Sequence, residues 1–502
     1  MENILDFKRF KLSRENLVLG FTLLFSLLYV LGIIFGIQAE FFYLFLLIFM
    51  MLFILQDYMV GLLVLIFMTM VFERFFTLAP LEFFDAVYKI YPLDFVVIFS
   101  AVSFFLKEIV GNKRKIKLGY LGIPLLIFGG FCFFSMLYGL ATGGEFEKAF
   151  SSFKNYFVYA IIYFLVINFL RSKADLYRLL KVFLVSSLAV LLFAFIGIIR
   201  GEGLWVDITP LSTEGSRLIA PTHAFYLGIA VLFILSLYAS GKKVFGRLTL
   251  PILVLQGVAI LISLSRHLWI ALAFAIFFLF LFVKREQKKK LFKTSLILLF
   301  VTVVVLVSVV WLQTLLHSAN ISIIPLNYLA NFSERFTSID IFSSDDPSGM
   351  WRVFVWRESF EVLSQNIVTG TGFGKTITFD FYGYPLIVEL RSLHNGFLGI
   401  AVQMGILGFL SFVAVNVVAW YMFLKNFQKQ AGTLGAIFMG AFSAYLYFLV
   451  CANFGVYFEL NLLLIFFWLV LGIFEVALRL MKEEAHKGPQ IELSKHIKKE
   501  VA

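Results

Sequence analysis

The chain has 502 residues, of which 61% are hydrophobic and 15% are charged, and its formal net charge is +11. Soluble domains are about 45–50% apolar and about 25% charged, so this composition excludes an ordinary soluble domain. The two cysteines, Cys132 and Cys451, both lie in apolar segments, so neither a disulfide framework nor a cysteine-based metal site is expected.

Apolar runs long enough to cross a bilayer as helices recur along the whole chain. They predict an all-α polytopic membrane protein with about 12–14 transmembrane helices, and the period-2 alternation of an outer-membrane barrel is absent. In chain order the predicted spans are 17–37, 40–56, 58–73, 92–107, 122–142, 150–170, 177–199, 221–240, 248–264, 267–283, 293–313, 394–424, 433–451 and 459–479. The first span is expected to be an uncleaved helix, because no small-residue cleavage site is evident and more spans follow.

The distribution of Lys and Arg predicts the orientation, because basic residues are retained in cytoplasmic loops. With the N-terminus inside, the inside segments contain 30 of the 42 basic residues, including the run from Lys284 to Lys290. The positive charge is therefore mostly a topology signal, with some contact to anionic membrane lipids, and no nucleic acid partner is expected. Both termini are predicted to be cytoplasmic.

One long loop interrupts this helical chain and sets the domain organisation. We predict N-terminal transmembrane helices over 1–313, a large loop on the outer side over 314–393, C-terminal transmembrane helices over 394–480, and a basic cytoplasmic tail over 481–502. Loops of this length are usually functional or disordered, and this one is rich in aromatic residues. It is predicted to form a small ordered cap on the outer face.

The cap has local signals of its own. Ser348 is predicted to cap a helix that runs to about Gln365. The glycines between Gly370 and Gly374 predict tight turns, and the stretch from Thr376 to Glu389 is predicted to be extended, with a turn at its middle.

Three side chains on the predicted outer side suggest chemistry: Arg217, Arg266 and His394. Arg266 lies between the predicted spans 248–264 and 267–283, which are separated only by Ser265 and Arg266. It either snorkels to phospholipid headgroups or binds an anion, because a guanidinium pairs with phosphate oxygens. His394 either stabilises a helix start or accepts a proton near neutral pH. Asn395 either caps that helix or orients a substrate hydroxyl.

Other candidate sites are weaker. His223 and His267 are alternative bases, although both have the positions of interfacial residues. The sequence Gly374-Lys375-Thr376 is similar to the tail of a P-loop, but that pattern needs glycine where Thr369 stands, so no nucleotide site is expected. No metal site is expected either, because the outer side has no HExxH motif and no Asp/His cluster at ligand spacing, and Asp345-Asp346 lies in a turn.

His394-Asn395 is followed by nine residues, Gly405, two residues and Gly408. This pattern resembles the signature of the O-antigen ligase and polymerase superfamily, which comprises polytopic bacterial enzymes that transfer glycans from undecaprenyl diphosphate. The family's large periplasmic loop directly precedes its histidine, as the loop 314–393 does here. The two glycines are predicted to permit close helix packing.

The resemblance extends to both arginines over roughly 200–480. The family's Ser-Arg pair between two spans resembles Ser265-Arg266, and its arginine ahead of a Pro-containing span resembles Arg217 with Pro221. One departure is the number of spans, because the ligases are commonly drawn with twelve.

The resemblance implies a metal-independent glycosyltransferase without a cofactor, in the bacterial inner membrane. His394 would then be the general base and Arg217 and Arg266 would hold the diphosphate, while Arg352 and Arg391, with Asn395, would contact substrate. The implied partners are an undecaprenyl-diphosphate-linked glycan and an acceptor, either the glycolipid lipid A core or a growing glycan. The alternatives are a polysaccharide polymerase, a glycan-to-protein ligase and, from a different class, a lipid-linked glycan transporter.

Overall fold

The structure is a computed structural model that describes residues 40–72, 77–78, 81–83, 86–88, 90–111, 115–200, 219–318, 347–381 and 384–500, together with 16, 20–21, 23–24 and 27–28. This part of the chain is almost entirely helical, and its strands form two antiparallel pairs.

The elements before the cap are, in chain order, α1 (Glu40–Gln56), α2 (Tyr58–Val71), β1 (Leu81–Phe83), β2 (Ala86–Tyr88), α3 (Pro92–Phe104), α4 (Gly122–Ala141), α5 (Phe146–Tyr156), α6 (Ile161–Phe169), α7 (Lys173–Arg200), α8 (Pro221–Ala239), α9 (Thr249–Ile262), α10 (Arg266–Phe282) and α11 (Arg285–Ser318). The elements from the cap onward are α12 (Pro347–Gln365), β3 (Thr376–Phe381), β4 (Tyr384–Glu389), α13 (Gly396–Asn426), α14 (Gly432–Ala452) and α15 (Asn461–Glu500).

The predicted spans and the described helices agree. Every predicted span from 40–56 onward coincides with helix, whereas the first span, 17–37, lies largely outside the described residues. By length and composition, six stretches of the described residues can cross a membrane: Gly122–Ala141, Phe146–Phe169, Pro221–Ala239, Gly396–Lys429, Gly432–Ala452 and Asn461–His486. The prediction of an all-α, multi-pass membrane protein is confirmed.

The interior of the bundle is formed by helices that are apolar on all sides. Helix α14 packs against α15, α8 and α10, and nearly all of its residues are buried. Helices α4 and α13 are peripheral, with exposed apolar side chains such as Ile123 and Leu410. In a bilayer these outward apolar faces contact lipid, so α4 and α13 form part of the lipid-facing wall.

Three of the basic segments, at 242–247, 284–293 and 425–429, meet at one end of the bundle. Gln430, just after α13, donates from Nε2 to the carbonyl oxygen of Phe282 at the end of α10 (2.8 Å). Gln287, within the basic run at the start of α11, donates to Ser240 Oγ at the end of α8 (3.1 Å). The beginnings of α10 and α13 therefore lie at the opposite end, which we call the site end.

The cap contains the helix and the hairpin that the sequence predicts. Strands β3 and β4 pair antiparallel, with Thr376 opposite Glu389 and Phe381 opposite Tyr384. The prediction that Ser348 caps this helix is wrong. Helix α12 already begins at Pro347, so Ser348 lies within its first turn. Of the predicted cap, 314–393, the first residues to Ser318 belong to α11, and 319–346 and 382–383 are outside the described residues.

Candidate active site

His394 occupies the joint between the cap and the membrane helix α13. Its backbone φ is 53°, in the left-handed region, and among the described residues the other non-glycine with positive φ is Leu264 (54°). Such residues cost about 1–3 kcal/mol each and cluster at functional sites. Leu264 directly precedes Ser265-Arg266, so both strained positions fall at sequence motifs that suggest chemistry.

Two aromatic residues of α12 contact His394 and the residue before it. The Trp351 ring meets the imidazole edge to face, with 5.2 Å between ring centroids. Trp356 Nε1 donates to the carbonyl oxygen of Leu393 (2.8 Å), which fixes the backbone immediately before the histidine. Burial, together with the positive charge of Arg352, lowers the pKa of His394 to about 4. The imidazole is therefore neutral at physiological pH and has an acceptor nitrogen.

Asn395 is the N-cap of α13. Its Oδ1 accepts a hydrogen bond from the backbone N–H of Leu398 (3.1 Å), and its own backbone is extended. This satisfies one of the donors that a helix start leaves open. The capping alternative is confirmed. A contact with substrate, which would use the side-chain amide nitrogen, stays a prediction.

The residue after Arg266 and the start of the helix after His394 both contact one loop, 453–460, between α14 and α15. Arg266 is the first residue of α10, and the adjacent His267 shares a 2.8 Å hydrogen bond between its Nε2 and Tyr457 Oη. The ring of Phe458 packs so tightly on Gly396, at the start of α13, that a Cβ there would lie 2.5 Å from it. The structure thus brings the Ser-Arg motif and the His-Asn motif to the same loop at the site end.

Gly405 serves a different purpose from the one predicted. It has φ 67° and ψ −174° and breaks α13 within the membrane segment. The turn that follows α12 docks into this break: Thr371 N–H donates to Val402 O (2.9 Å), Gly372 N–H to Gln403 O (2.9 Å), and Ile406 N–H to Ile367 O (2.7 Å). The prediction of helix–helix packing at Gly405 is wrong, because what approaches closely is the backbone of the cap.

The glycine-rich turn also contacts α4. Phe373 N–H donates to Ser135 O (2.9 Å), and a Cβ on Gly139 would lie 2.1 Å from Phe373 O. Positive φ values at Gly370, Gly372 and Gly374 confirm the predicted tight turns. The turn therefore joins two membrane helices and supplies the backbone partners that a broken helix needs in an apolar environment.

Arg391 connects the cap to α5. Its Nε donates to Glu389 Oε2 (2.7 Å) and its NH1 to Ser151 Oγ (3.0 Å), while Lys148 lies 3.5 Å from the other oxygen of Glu389. Burial favours the neutral Glu389, but Arg391 and then Lys148 outweigh it and hold its pKa below the ordinary value. Contact between Arg391 and substrate stays a prediction.

Glu459 is a further residue of this site, and the sequence did not predict it. This carboxylate is only 9% exposed and lies in the loop 453–460, where it accepts from Ser152 Oγ (3.1 Å) and Gln403 Nε2 (3.0 Å). Burial raises its pKa to about 7, although the hydrogen bond from Gln403 and the charge of Arg391 act in the other direction. The one signal in the sequence was a lone acidic residue between two closely spaced apolar spans.

The remaining candidates are less informative. Arg217 and Asp345-Asp346 lie outside the described residues. His223 is fully buried in the first turn of α8, so it is not the interfacial residue that was predicted. The described part of the chain contains no group of three or more His, Cys, Asp or Glu that could hold a metal ion.

Residues 251–413 match the family model described as O-antigen ligase. Over these residues the chain is similar to the O-antigen ligase family. The resemblance to the superfamily is therefore confirmed, and the chain carries an enzyme segment of the ligase type, related to membrane glycosyltransferases that ligate or polymerise glycans. A comparison with curated proteins finds no match.

The ligase segment, 251–413, contains most of the site described above. It begins in α9, includes Arg266, the cap and His394, and ends after Gly405 and Gly408. The loop 453–460, with Tyr457 and Glu459, lies outside it. The site is therefore completed by residues that the family match does not cover.

Proposed function

We propose that the chain is an O-antigen ligase-like glycosyltransferase that moves a glycan from undecaprenyl diphosphate to a hydroxyl of lipid A core. The acceptor hydroxyl loses its proton to His394, and its oxygen forms a bond to the anomeric carbon. The bond from that carbon to the diphosphate oxygen breaks, and the electron pair leaves with the diphosphate. Attack from the face opposite the leaving group inverts the anomeric centre.

The orientation of this reaction follows from charge. Three basic segments, at 242–247, 284–293 and 425–429, gather at the end of the bundle opposite His394, and basic segments are retained in the cytoplasm. Both termini are then cytoplasmic and the site end faces the periplasm. Carrier-linked glycan presented on that side, together with an acceptor in the same membrane leaflet, would meet at the cap.

His394 is suited to the role of base by its surroundings. A pKa of about 4 keeps the imidazole neutral at physiological pH and leaves one nitrogen able to accept a proton, but it also makes the free side chain a weak base. A bound diphosphate would offset the charge of Arg352 and raise the pKa of His394 toward the range in which a general base works best. Substrate binding would thus strengthen the base at the moment it is needed.

Arg266 and Arg217 would bind the negatively charged diphosphate. Arg266 stands at the site end on the first turn of α10, and a guanidinium binds phosphate oxygens in pairs and remains charged at any relevant pH. Arg217, whose role rests on the sequence alone, would be its partner. Two guanidiniums offset the growing charge on the diphosphate without a metal ion, so we propose that the transfer is metal-independent.

The observation that supports the proposal most is the backbone of His394. A left-handed histidine at a helix entrance, with Trp351 against its ring, costs free energy that an ordinary capping residue would not need. The helix cap is already provided by Asn395. A role in stabilising the helix start therefore does not account for the conformation of His394, and a role in chemistry does.

The experiment is His394→Asn in the native host, with surface glycan and carrier-linked glycan separated on gels. Asparagine also tolerates left-handed φ, so this variant keeps the backbone and removes the base, whereas His394→Ala changes both. We expect at least about a hundredfold less transfer, because general bases contribute about 10²–10⁴ in rate. The matched control is the exposed His486→Asn, which should transfer normally.

The accumulated product identifies the acceptor. A ligase defect leaves polymerised glycan on the carrier and bare lipid A core. A polymerase defect instead leaves core capped by a single repeat. Normal surface glycan in the His394→Asn strain, with the protein present in the membrane, would refute the proposed enzyme.

A further inference from the structure

Glu459 is a buried carboxylate that the proposed mechanism does not use. It is 9% exposed and lies in the loop 453–460 at the site end of the bundle. It is outside the matched segment, 251–413. Burying a carboxylate costs free energy unless hydrogen-bond partners compensate for the lost water. Its partners therefore indicate its role.

The partners come from separate parts of the chain. Ser152 on α5 donates to the carboxylate (3.1 Å), and Gln403 on α13 donates to its other oxygen (3.0 Å). Asn155, also on α5, donates from Nδ2 to the backbone carbonyl of Glu459 (2.5 Å). Glu459 thus joins α5, the first segment of α13 and the loop 453–460.

Each of these three elements holds part of the site. The loop contacts His267, beside Arg266, through Tyr457. Gln403 lies two residues before the break in α13, so it controls the far end of the short helical segment that starts just after His394. On α5, Ser151 accepts a hydrogen bond from Arg391, which lies in the cap three residues before His394.

We propose that Glu459 is a positioning residue, whose hydrogen bonds to α5 and α13 set the distance between His394 and Arg266. The proposal rests on the roles that the proposed function gives to those two residues. Glu459 acts through hydrogen bonding and not through its charge. A glutamine at this position can turn its amide oxygen to Gln403 and its amide nitrogen to Ser152 Oγ, so it preserves both contacts.

The test compares Glu459→Ala with Glu459→Gln in the full chain, reconstituted in lipid nanodiscs. Hydrogen–deuterium exchange of the stretches 396–404 and 453–460 reports the geometry, and glycan transfer in the host reports function. For Glu459→Ala we expect about tenfold faster exchange in both stretches and a loss of transfer of about ten- to a hundredfold. For Glu459→Gln we expect both readouts within about threefold of the parent.

A matched control is available on α15. Glu475 is also a buried carboxylate, 6% exposed, but it accepts from Tyr163 Oη and from the backbone N–H of Tyr120, away from the cap. Glu475→Ala should leave exchange in 396–404 unchanged. If Glu459→Ala does not fold, Gln403→Met removes one of the same hydrogen bonds from the other side and should also speed exchange in 396–404.

Two results would overturn the positioning role. The first is a Glu459→Gln variant that exchanges normally but loses as much transfer as the alanine variant, because the charge itself would then be required. The second is normal exchange and normal transfer in both Glu459→Ala and Gln403→Met. If His394→Asn transfers normally while Glu459→Ala still loosens 396–404, the fault lies in the proposed function and not in the hydrogen-bond network.

Discussion

Replacement of Gly405 by alanine should destabilise the contact between the cap and α13 without changing any side chain that is proposed to act in catalysis. An alanine at φ 67° and ψ −174° costs about 1–3 kcal/mol, because this backbone conformation is essentially restricted to glycine. Its Cβ would also lie 2.2 Å from the carbonyl oxygen of Val368 and 2.5 Å from the backbone nitrogen of Gly370, so the turn must move away. Neither contact is with a flexible side chain.

Displacing the turn removes three backbone hydrogen bonds between the cap and α13. At a net value of about 0.5–1.5 kcal/mol each, these three bonds add roughly 1.5–4.5 kcal/mol to the backbone cost of the alanine. We expect Gly405→Ala to destabilise the chain by roughly 2.5–7.5 kcal/mol in all. The contribution of each bond is higher at membrane depth, where no water replaces a lost partner.

The matched control is Gly432→Ala. Gly432 has φ 59°, and a Cβ added to it would meet no atom within 4 Å, so it carries the backbone cost of about 1–2 kcal/mol alone. The assay is the half-life of folded protein in detergent at a fixed elevated temperature, because large membrane proteins unfold irreversibly. Equal half-lives for the two alanine variants would refute the role assigned to the turn.

Two further predictions concern the immediate surroundings of the base. Arg352→Gln should raise the pKa of His394, because the guanidinium disfavours the protonated imidazole, and the acid limb of kcat/KM should move to higher pH; the exposed Arg357→Gln should not move it. Asn395→Ala should lose about 1 kcal/mol of stability with the hydrogen bond to Leu398, whereas Asn395→Asp keeps the cap. Full transfer by the aspartate variant would restrict Asn395 to capping, and lost transfer with normal stability would assign its amide nitrogen to substrate.

The elements that the sequence predicts are those with local causes. The spans follow from runs of apolar residues, and the hairpin at 376–389 follows from alternating residues on either side of a turn. The cap at Asn395 likewise depends on a residue three positions away. Each of these patterns is contained in one short stretch of chain, so it can be recognised without knowledge of the rest.

The features that were missed depend on distant partners. The span 394–424 was predicted as continuous, but α13 breaks at Gly405 because the backbone around Gly370 fills the gap. Glu459 gave no signal beyond its charge, since its partners Ser152 and Gln403 lie 307 and 56 residues away. Composition and periodicity do not report which distant segments meet, so these contacts required the three-dimensional structure.

These distant contacts explain how a strained histidine can be kept in place. A catalytic group must be held within about 0.5 Å of its working position. The backbone before His394 is fixed by Trp356, and the helix after it by Asn395, by Glu459 through Gln403, and by the turn docked at Gly405. Since the turn that docks at the break in α13 is also hydrogen-bonded to α4, this end of the cap cannot open without losing backbone hydrogen bonds to both membrane helices. The glycine-rich turn is therefore the anchored part of the cap.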